Sequence, residues 1–223
     1  MARRRDGSDG GAEGRVAGPR SRRDQLADHT LPPARIETAR FVLQRWRVED
    51  APALTPILEE NVAHLKPWIP WRVAAPGTLE EITARIEGWS RDFDEGRNFI
   101  WAIWVDGGRD LAGAVGIYPR DANGRVSIDR ADRAEIGYWL SMRAAGHGYA
   151  TDAAREVVRI TTAMPRMIMI EMRCDPANEK SIAIPRRLGF HEVRRAAETP
   201  AAAGDPPEDT VVWALPLNSD SRA

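Results

Sequence analysis

The stretch RAAGHGYATDAAREVV, residues 143–158, places two closely spaced glycines just before an amphipathic helical pattern. Glycine costs about 0.5–1 kcal/mol relative to alanine in regular structure, so Gly146 and Gly148 indicate a special requirement of the backbone. The free N–H groups and the dipole of a helix N-terminus bind phosphate where no side chain blocks the approach. The stretch therefore predicts either a phosphate-binding loop or a tight turn with positive φ angles, and glycine spacing alone leaves both open.

Two other phosphate-binding motifs fit this stretch poorly. A P-loop has a lysine directly after its last glycine, whereas Tyr149 follows Gly148 here. The dinucleotide fingerprint G-x-G-x-x-G has a third glycine where GHGYAT has Thr151. These departures disfavour, without excluding, a nucleotide site of either kind.

Two glutamates lie in strand-like segments where a carboxylate could act as a general base. Glu135 stands in AEIGYWL, and Glu171 stands in the apolar segment IEMRC, where an unpaired charge is costly to bury. Each could equally be a structural ion pair with an arginine, which for Glu171 would be Arg173 or Arg187. We therefore treat both as candidate bases with this structural alternative.

The composition predicts a water-soluble protein of one sizeable domain. The chain has 223 residues, is 43% hydrophobic and 29% charged, and carries a formal net charge of −1, so no global basic field indicates nucleic-acid or membrane binding. No apolar run approaches the ~20 residues of a membrane span. Its single cysteine, Cys174, forms no intramolecular disulfide and suits a reducing compartment, so we expect a cytoplasmic protein. The histidines offer no metal-binding spacing with Cys174, and we expect no metal.

The chain divides into a single domain with a tail at each end. Residues 1–34 are rich in Gly, Arg, Asp and Ser and predict a disordered N-terminal tail, whose arginines could touch nucleic acid but more simply form a solvated extension. Residues 35–217 form the expected domain, and residues 218–223 form a C-terminal tail.

The periodicity of the domain predicts an α+β fold. The expected order is a strand, two helices, three antiparallel strands, a helix, a strand, a helix and two strands, all sharing one core. Asp50 is the expected N-cap of the first helix, and Thr78 with Glu81 forms the expected capping box of the second.

Four collinear stretches are similar to one known family. RAAGHGYA matches R/Q-x-x-G-x-G/A, the pyrophosphate loop of the GNAT N-acetyltransferase superfamily. The resemblance covers roughly residues 35–217 and is to the branch that contains the ribosomal-protein alanine N-acetyltransferases. Its stretches are IETARFVLQRWRVEDAPAL, HLKPWIPW, AEIGYWLSMRAAGHGYATDAAREVV and IEMRCDPANEKSIAIPRRLGF.

This resemblance implies a GNAT-like mixed, mostly antiparallel sheet, splayed between its fourth and fifth strands and flanked by helices, with acetyl-CoA wedged in the gap. Asn178 matches the asparagine that contacts the pantetheine arm, and Ser181 matches the position whose hydroxyl lies near the thioester sulfur, which makes Ser181 a candidate acid. Arg143 heads the pyrophosphate motif and is expected to assist. The amides that would hold the pyrophosphate are those of Gly146, His147, Gly148, Tyr149 and Ala150.

The chain departs from the superfamily pattern at one position near this acid. Many relatives carry a tyrosine acid seven residues after the asparagine, and that position here is Pro185. Proline costs about 3 kcal/mol inside a regular helix, so we expect a kink in the helix that carries Ser181, and the acid role of Ser181 is weakened.

By the same resemblance, His64, Trp68 and Trp71 belong to the segment that roofs the acceptor cleft. Aromatic rings there could hold a cation, or they could simply pack the roof.

The leading hypothesis is an acetyl-CoA-dependent N-acetyltransferase that acts by direct transfer in a ternary complex. Its acceptor is either a protein N-terminus or a small-molecule amine, and the chain is expected to be a monomer or homodimer. One alternative, motivated by Pro185, is a non-catalytic module that binds acyl-CoA as a sensor or interaction domain. Another is a nucleotide-binding domain that uses the same glycine turn.

Overall fold

The computed structural model describes residues 31–197 and 209–217. Most of the expected N-terminal tail and all of the C-terminal tail lie outside these residues. Leu31 nevertheless packs against the core, and the carbonyl oxygen of Pro33 accepts a 2.9 Å hydrogen bond from Trp101 Nε1. The packed domain thus includes residues before the expected boundary at Arg35, because the indole N–H of a buried tryptophan needs an acceptor.

The strands of the described residues form one mixed sheet in the order β1-β2-β3-β4-β6-β7-β9-β8, with β5 beside β4. Every neighbouring pair is antiparallel except β6 and β7, which are parallel. This confirms the expected α+β fold with a mostly antiparallel sheet. The strands are β1 (Arg35–Glu37), β2 (Val42–Arg45), β3 (Phe99–Val105), β4 (Asp110–Asp121), β5 (Gly124–Arg125), β6 (Arg133–Leu140), β7 (Met169–Cys174), β8 (His191–Ala197) and β9 (Asp209–Pro216).

Helices cover both faces of this sheet. One face buries Leu54, Ile82 and Ile86, and the other buries Val157 and Ile182. No helix in the described part of the chain is long and apolar enough to cross a membrane. The helices are α1 (Ala51–Glu60), α2 (Val62–Leu65), α3 (Trp71–Ala74), α4 (Leu79–Asp94), α5 (Tyr149–Ala163) and α6 (Glu179–Arg187).

The two expected helix caps have different outcomes. Thr78 and Glu81 form the predicted capping box of α4, with each side chain accepting a hydrogen bond from the other residue's backbone N–H. The N-cap predicted at Asp50 is confirmed in position, but the Asp50 carboxylate accepts a 2.9 Å bond from Arg47 N and makes no cap bond to α1. Asp50 closes a 3₁₀ turn that leads into the helix.

The first strand expected from the sequence, in the stretch IETARFVLQRW at residues 36–46, is in fact the hairpin β1–β2. Thr38 closes the turn, since its hydroxyl accepts a 3.0 Å bond from Phe41 N and donates a 2.8 Å bond to Phe41 O. A short hydroxyl side chain that bonds its own backbone competes with an extended conformation, so the strand reverses here.

The parallel pair β6–β7 is short and opens at one end. Only Arg133–Glu135 of β6 pairs with Met169–Glu171 of β7. Beyond this point β6 continues to Leu140 beside β4, and β7 continues to Cys174 beside β9. The two strands therefore form a V that opens toward their carboxyl ends. They are the fourth and fifth strands of the sequence-based count, so the predicted splay is confirmed.

Gly113 in β4 is expected to tolerate no side chain. A Cβ at Gly113 would lie 2.1 Å from the carbonyl oxygen of Trp139 in the neighbouring strand. We expect Gly113→Ala to lower the free energy of unfolding by about 3 kcal/mol, at the upper end of the cost of overpacking. Gly88→Ala in α4 is the control, because nothing lies within 4 Å of its Cβ. That substitution should raise stability by up to about 1 kcal/mol. Urea unfolding measures both, and an equal effect at the two positions would contradict the close approach of β4 and β6.

Candidate functional site

Both glycines between β6 and α5 have left-handed backbone angles, with φ of +85° at Gly146 and +82° at Gly148. A Cβ at Gly146 would meet no atom within 4 Å, so the backbone conformation, and not lack of space, requires glycine there. This agrees with the tight-turn interpretation. Such a turn also directs successive N–H groups toward one side, as in anion-binding nests, so it does not compete with phosphate binding.

The loop presents a set of N–H groups at the start of α5. The amide of Ala145 is bonded to the carbonyl of Ser141, and that of Asp152 to the carbonyl of Gly148, each at 3.1 Å. Between them, the amides of residues 146–150 find no acceptor in the described ranges of the chain. Since α5 is 15 residues long, its dipole adds about half a positive charge at this end. The loop is therefore suited to an anion with several oxygen atoms.

Arg143 and His147 are both exposed beside this loop. Arg143 belongs to a 3₁₀ turn over Met142–Ala144 that precedes the glycines. The His147 ring stacks on Tyr149 with a centroid distance of 5.9 Å, and its Nδ1 lies 3.1 Å from the Ala145 carbonyl oxygen. The His147 ring is thus held by local contacts, and its backbone N–H is one of the amides without an acceptor.

Asn178 and Ser181 lie at the start of α6, which follows β7. Asn178 is the N-cap of α6, and its Oδ1 accepts a 3.0 Å bond from Ser181 N. The Ser181 hydroxyl lies 3.1 Å from the Tyr138 hydroxyl on β6 and 3.4 Å from Cys174 Sγ on β7. Ser181 therefore contacts a residue from each of the two strands that diverge.

Pro185 explains why Tyr138 approaches Ser181. Proline has no N–H, so the carbonyl oxygen of Ser181 loses the donor that a residue at position 185 would supply. The Tyr138 hydroxyl lies 3.1 Å from this oxygen and can donate to it. Helix α6 runs through Pro185 to Arg187, so the helix continues past the proline and an external donor serves the freed carbonyl.

Burial keeps the two groups that face Ser181 neutral. Removal from water raises the pKa of the Tyr138 hydroxyl far above its ordinary value, with a further contribution from Cys174. Burial likewise raises the pKa of the Cys174 thiol. Near neutral pH, both are therefore protonated hydrogen-bonding groups and not anions.

Glu135 and Glu171 occupy the closed end of the V. They pair with each other in register, on the last rung that joins β6 and β7. Glu135 accepts a bond from Arg120 Nη1 and lies 3.4 Å from Arg173 Nε and 3.8 Å from an Arg125 nitrogen. Glu171 lies 3.2 Å from Arg173 Nη2. Both carboxylates are thus ion-paired, as the structural alternative predicts, with Arg173 shared between them.

A hydrogen bond joins the segment expected to roof the acceptor cleft to the turn before the glycine loop, which is residues 145–148. Asn61, buried between α1 and α2, accepts a 2.7 Å bond from Met142 N in the turn before the loop. His64 on α2 is half-buried, and Trp68 is 39% exposed. Trp71 begins α3, and its side chain lies outside the described part of the structure.

Sequence reasoning missed four residues that hold this site together. Arg40 bonds the His147 carbonyl from 107 positions away, and no local pattern signals such a contact. Tyr138 could have been suspected from Pro185, which leaves a carbonyl in need of a donor. Asn61 and Arg120 reach the site through tertiary contacts. Within residues 31–197 and 209–217, no group of His, Cys, Asp or Glu is arranged to hold a metal ion.

Comparison with protein families gives one domain match. A family model described as the acetyltransferase (GNAT) domain matches residues 40–191 of the chain. Among curated proteins, YdaF of Bacillus subtilis, provisionally described as a ribosomal N-acetyltransferase, is 26% identical over 152 residues, which span 67% of this chain and 77% of that protein.

Solved structures with the same fold include several acetyltransferases. RimJ of Mycobacterium smegmatis, in complex with CoA-disulfide, has a TM-score of 0.67 and 24% identity, covering 82% of this chain and 83% of its own. The ribosomal-protein-S5-alanine acetyltransferase of Vibrio fischeri has a TM-score of 0.70 and 19% identity, covering 84% and 98%. The microcin C7 self-immunity acetyltransferase MccE, bound to acetyl-CoA and AMP, has a TM-score of 0.71 and 20% identity, covering 84% and 98%.

The raised pKa values of Tyr138 and Cys174 predict a loss of stability in alkali. In the unfolded chain, Cys174 loses its proton near its ordinary pKa of 9.0 and Tyr138 near 10.0, while the folded protein retains both protons. The unfolded state then binds fewer protons, so the free energy of unfolding should fall as pH rises above about 9. Urea unfolding at about pH 8 and pH 10.5 measures this decline. The double variant Tyr138→Phe with Cys174→Ala should decline less steeply, and identical slopes would show that these groups titrate normally.

Proposed function

We propose that this chain, which belongs to the GNAT acetyltransferase family, transfers the acetyl group of acetyl-CoA directly to a primary amine within a ternary complex. The observation that carries this proposal is the V between β6 and β7, with the amides of residues 146–150 at its open end. Its acceptor is either a protein N-terminus or a small-molecule amine. The reduced thiol of Cys174 suits action in the cytoplasm.

Acetyl-CoA would enter the V from its open end. The loop amides and the N-terminus of α5 would hold the diphosphate, with exposed Arg143 nearby. The pantetheine arm would then run along β6, where Leu140 and Glu135 are separated by ~17 Å of strand. Asn178 and Ser181, at the start of α6, would contact the arm and the thioester sulfur.

The unpaired edge of β6 would donate hydrogen bonds to the thioester. Beyond Glu135 this edge has no partner in β7, so its N–H groups are available to the carbonyl oxygen of the acetyl group. Donors placed where negative charge develops are usually the largest single contribution to acyl transfer. The lone pair of the amine attacks the carbonyl carbon, the C–S bond breaks, and the thiolate leaves with the bonding electrons.

Two protons move in this reaction. The acceptor ammonium must lose one before attack, and we propose that Glu135 or Glu171, acting directly or through water, receives it. The surrounding guanidinium groups, including Arg120 and Arg173, favour this step because nearby positive charge lowers the pKa of an ammonium. The second proton leaves the amine nitrogen after attack and has to reach the CoA thiolate. The Ser181 hydroxyl would relay it, giving its own proton to the sulfur and receiving the proton of the nitrogen in return, while the Tyr138 hydroxyl holds Ser181 in place.

One set of contacts favours a second candidate function, a non-catalytic module that binds acyl-CoA. Glu135 and Glu171 are both engaged by arginines, and Pro185 occupies the position of the tyrosine acid. Carboxylates held in ion pairs fix the sheet without needing to exchange protons. This module would bind CoA and acetylate no amine.

The cofactor assignment is tested by thermal unfolding with acetyl-CoA, CoA, NAD and GTP compared at equal concentration. At 100 times its Kd, a ligand adds about 2.7 kcal/mol, so acetyl-CoA and CoA should raise the Tm by a few degrees. Stabilisation by NAD or GTP alone would favour the nucleotide-binding alternative.

Gly148→Ala should abolish most of this shift, because a side chain strains a residue with φ of +82° and displaces the loop amides. The matched control is Gly189→Ala, at φ +81° beyond α6, where a Cβ meets nothing within 4 Å. The two variants should lose similar stability without ligand, and equal CoA shifts in both would remove the diphosphate from this loop.

Turnover separates catalysis from binding. In Glu135→Gln, Glu171→Gln and Ser181→Ala, we expect the Kd of acetyl-CoA to stay within about threefold of wild type. A residue that transfers a proton should lower kcat by about 100-fold or more. Thiol release with an amine found by screening measures kcat, and calorimetry measures Kd. Wild-type kcat in both glutamate variants at every pH would place the base elsewhere, while CoA binding with no amine acetylated would favour the non-catalytic module.

A further inference from the structure

From the turn between β1 and β2, Arg40 makes three contacts with the glycine loop and the first turn of α5. Its Nη2 donates a 2.6 Å hydrogen bond to the carbonyl oxygen of His147, and its Nη1 bonds the Asp152 carboxylate. Its guanidinium carbon lies 5.0 Å from the centre of the Tyr149 ring. One side chain therefore fixes the peptide between the two glycines and the first turn of α5 at the same time.

The position of Asp152 raises an electrostatic question. An acid in the first turn favours the helix, because it complements the positive end of the dipole. The same charge would repel a phosphate that binds the neighbouring amides. Arg40 and Arg155 offset this repulsion, because both pair with the Asp152 carboxylate. Arg155 Nη1 lies 2.6 Å from the carboxylate oxygen that Arg40 does not bind. Two cations thus share one carboxylate, and the immediate surroundings of the loop are positive.

Arg40 also has N–H donors that these contacts do not use. A guanidinium carries more N–H donors than its bonds to His147 and Asp152 use. The Arg40 side chain is 49% exposed, so its remaining donors can reach solvent. Its Nη1 lies 3.5 Å from the point that a Cβ of Gly148 would occupy, directly beside the bare backbone. The planar guanidinium of arginine can donate two parallel hydrogen bonds to two oxygens of one phosphate, which the ammonium of lysine cannot do.

We propose that Arg40 is a phosphate-recognition residue of the acyl-CoA site. It holds the loop by the His147 carbonyl and adds a fixed positive charge and free donors beside the loop amides. This inference rests on the proposed function, since it requires acyl-CoA to bind at this loop. The ligand chemistry is a phosphate ester, supplied by either the diphosphate or the 3′-phosphate of CoA.

The test compares Arg40→Gln and Arg40→Lys with the matched control Arg109→Gln, which removes an exposed arginine paired with Asp106 in the β3–β4 turn. CoA, 3′-dephospho-CoA and pantetheine are the probes. Calorimetry measures the first two, and displacement of CoA at millimolar concentration measures pantetheine. We expect Arg40→Gln to raise the Kd of CoA about 10- to 100-fold, because charge-assisted hydrogen bonds to phosphate are lost. Arg40→Lys should raise the Kd less. Pantetheine, which has no phosphate, should bind all variants alike, and Arg109→Gln should match wild type.

The pattern across the probes identifies the phosphate. A penalty of equal size on CoA and 3′-dephospho-CoA assigns Arg40 to the diphosphate, whereas a penalty on CoA alone assigns it to the 3′-phosphate. Either result supports the proposal. An unchanged Kd for CoA overturns it, and so does an equal penalty on all three probes including pantetheine, because that result would reflect a general disturbance of the binding site.

Salt dependence gives a readout that a structural role would not change. Added NaCl screens the attraction between Arg40 and phosphate, so the Kd of CoA should rise more steeply with salt in wild type than in Arg40→Gln. Parallel salt curves would contradict the proposal. If wild type itself binds no CoA, the proposed function fails first and this inference with it, and that result is distinct from normal binding by both wild type and variant.

Discussion

The parallel ladder between β6 and β7 stops after Glu135 and Glu171. Both parts of the candidate site depend on that break for their position, namely the amides at the start of α5 and the first residues of α6. Two like charges directly opposite each other on neighbouring strands destabilise a sheet. Here Arg173 lies against both carboxylates, and Arg120 adds a bond to Glu135. The charged rung therefore holds together as an ion-pair cluster, and past it each strand pairs only with its other neighbour. Because the strands are parallel, the helices that follow them, α5 and α6, both begin at the open end of the gap.

A single proline links the two walls of this gap. With Pro185 in α6, the Ser181 carbonyl lacks the donor that the residue four positions on supplies in a regular helix, and a buried carbonyl without a partner is costly. Tyr138 supplies the hydroxyl from β6, which also places it against the Ser181 side chain. Helix α6 runs through Pro185 to Arg187, and a strand residue supplies the donor that the proline removes. The Tyr138 hydroxyl thus contacts both the carbonyl and the side chain of Ser181 and connects β6 to α6 across the gap.

Local patterns predicted much of this structure, and long-range contacts account for what they missed. The capping box at Thr78, the order of the elements and the positive φ angles of the loop each depend on residues a few positions apart, so periodicity and glycine placement indicate them. The hairpin closed by Thr38 was missed because residues 36–46 contain no glycine or proline to indicate the turn. Arg40 was missed because its partners lie 107 and 112 positions away. The ion pairs of Glu135 were foreseen as one of two possibilities, but the sequence could not choose, since Arg120 approaches only after β4 and β6 pair.

The charges of the site differ at its two ends in a way that suits acetyl transfer. At the open end, N–H groups and Arg40 create a positive field with hydrogen-bond donors, which favours a multiply charged anion over a neutral ligand. At the closed end, guanidinium groups outnumber the two carboxylates that they surround. An ammonium brought to that end meets repulsion that its neutral amine does not, so the environment itself shifts the acceptor toward its reactive form. Under the proposed function, the ion pairs that end the β6–β7 ladder would therefore also help the acceptor ammonium to lose its proton.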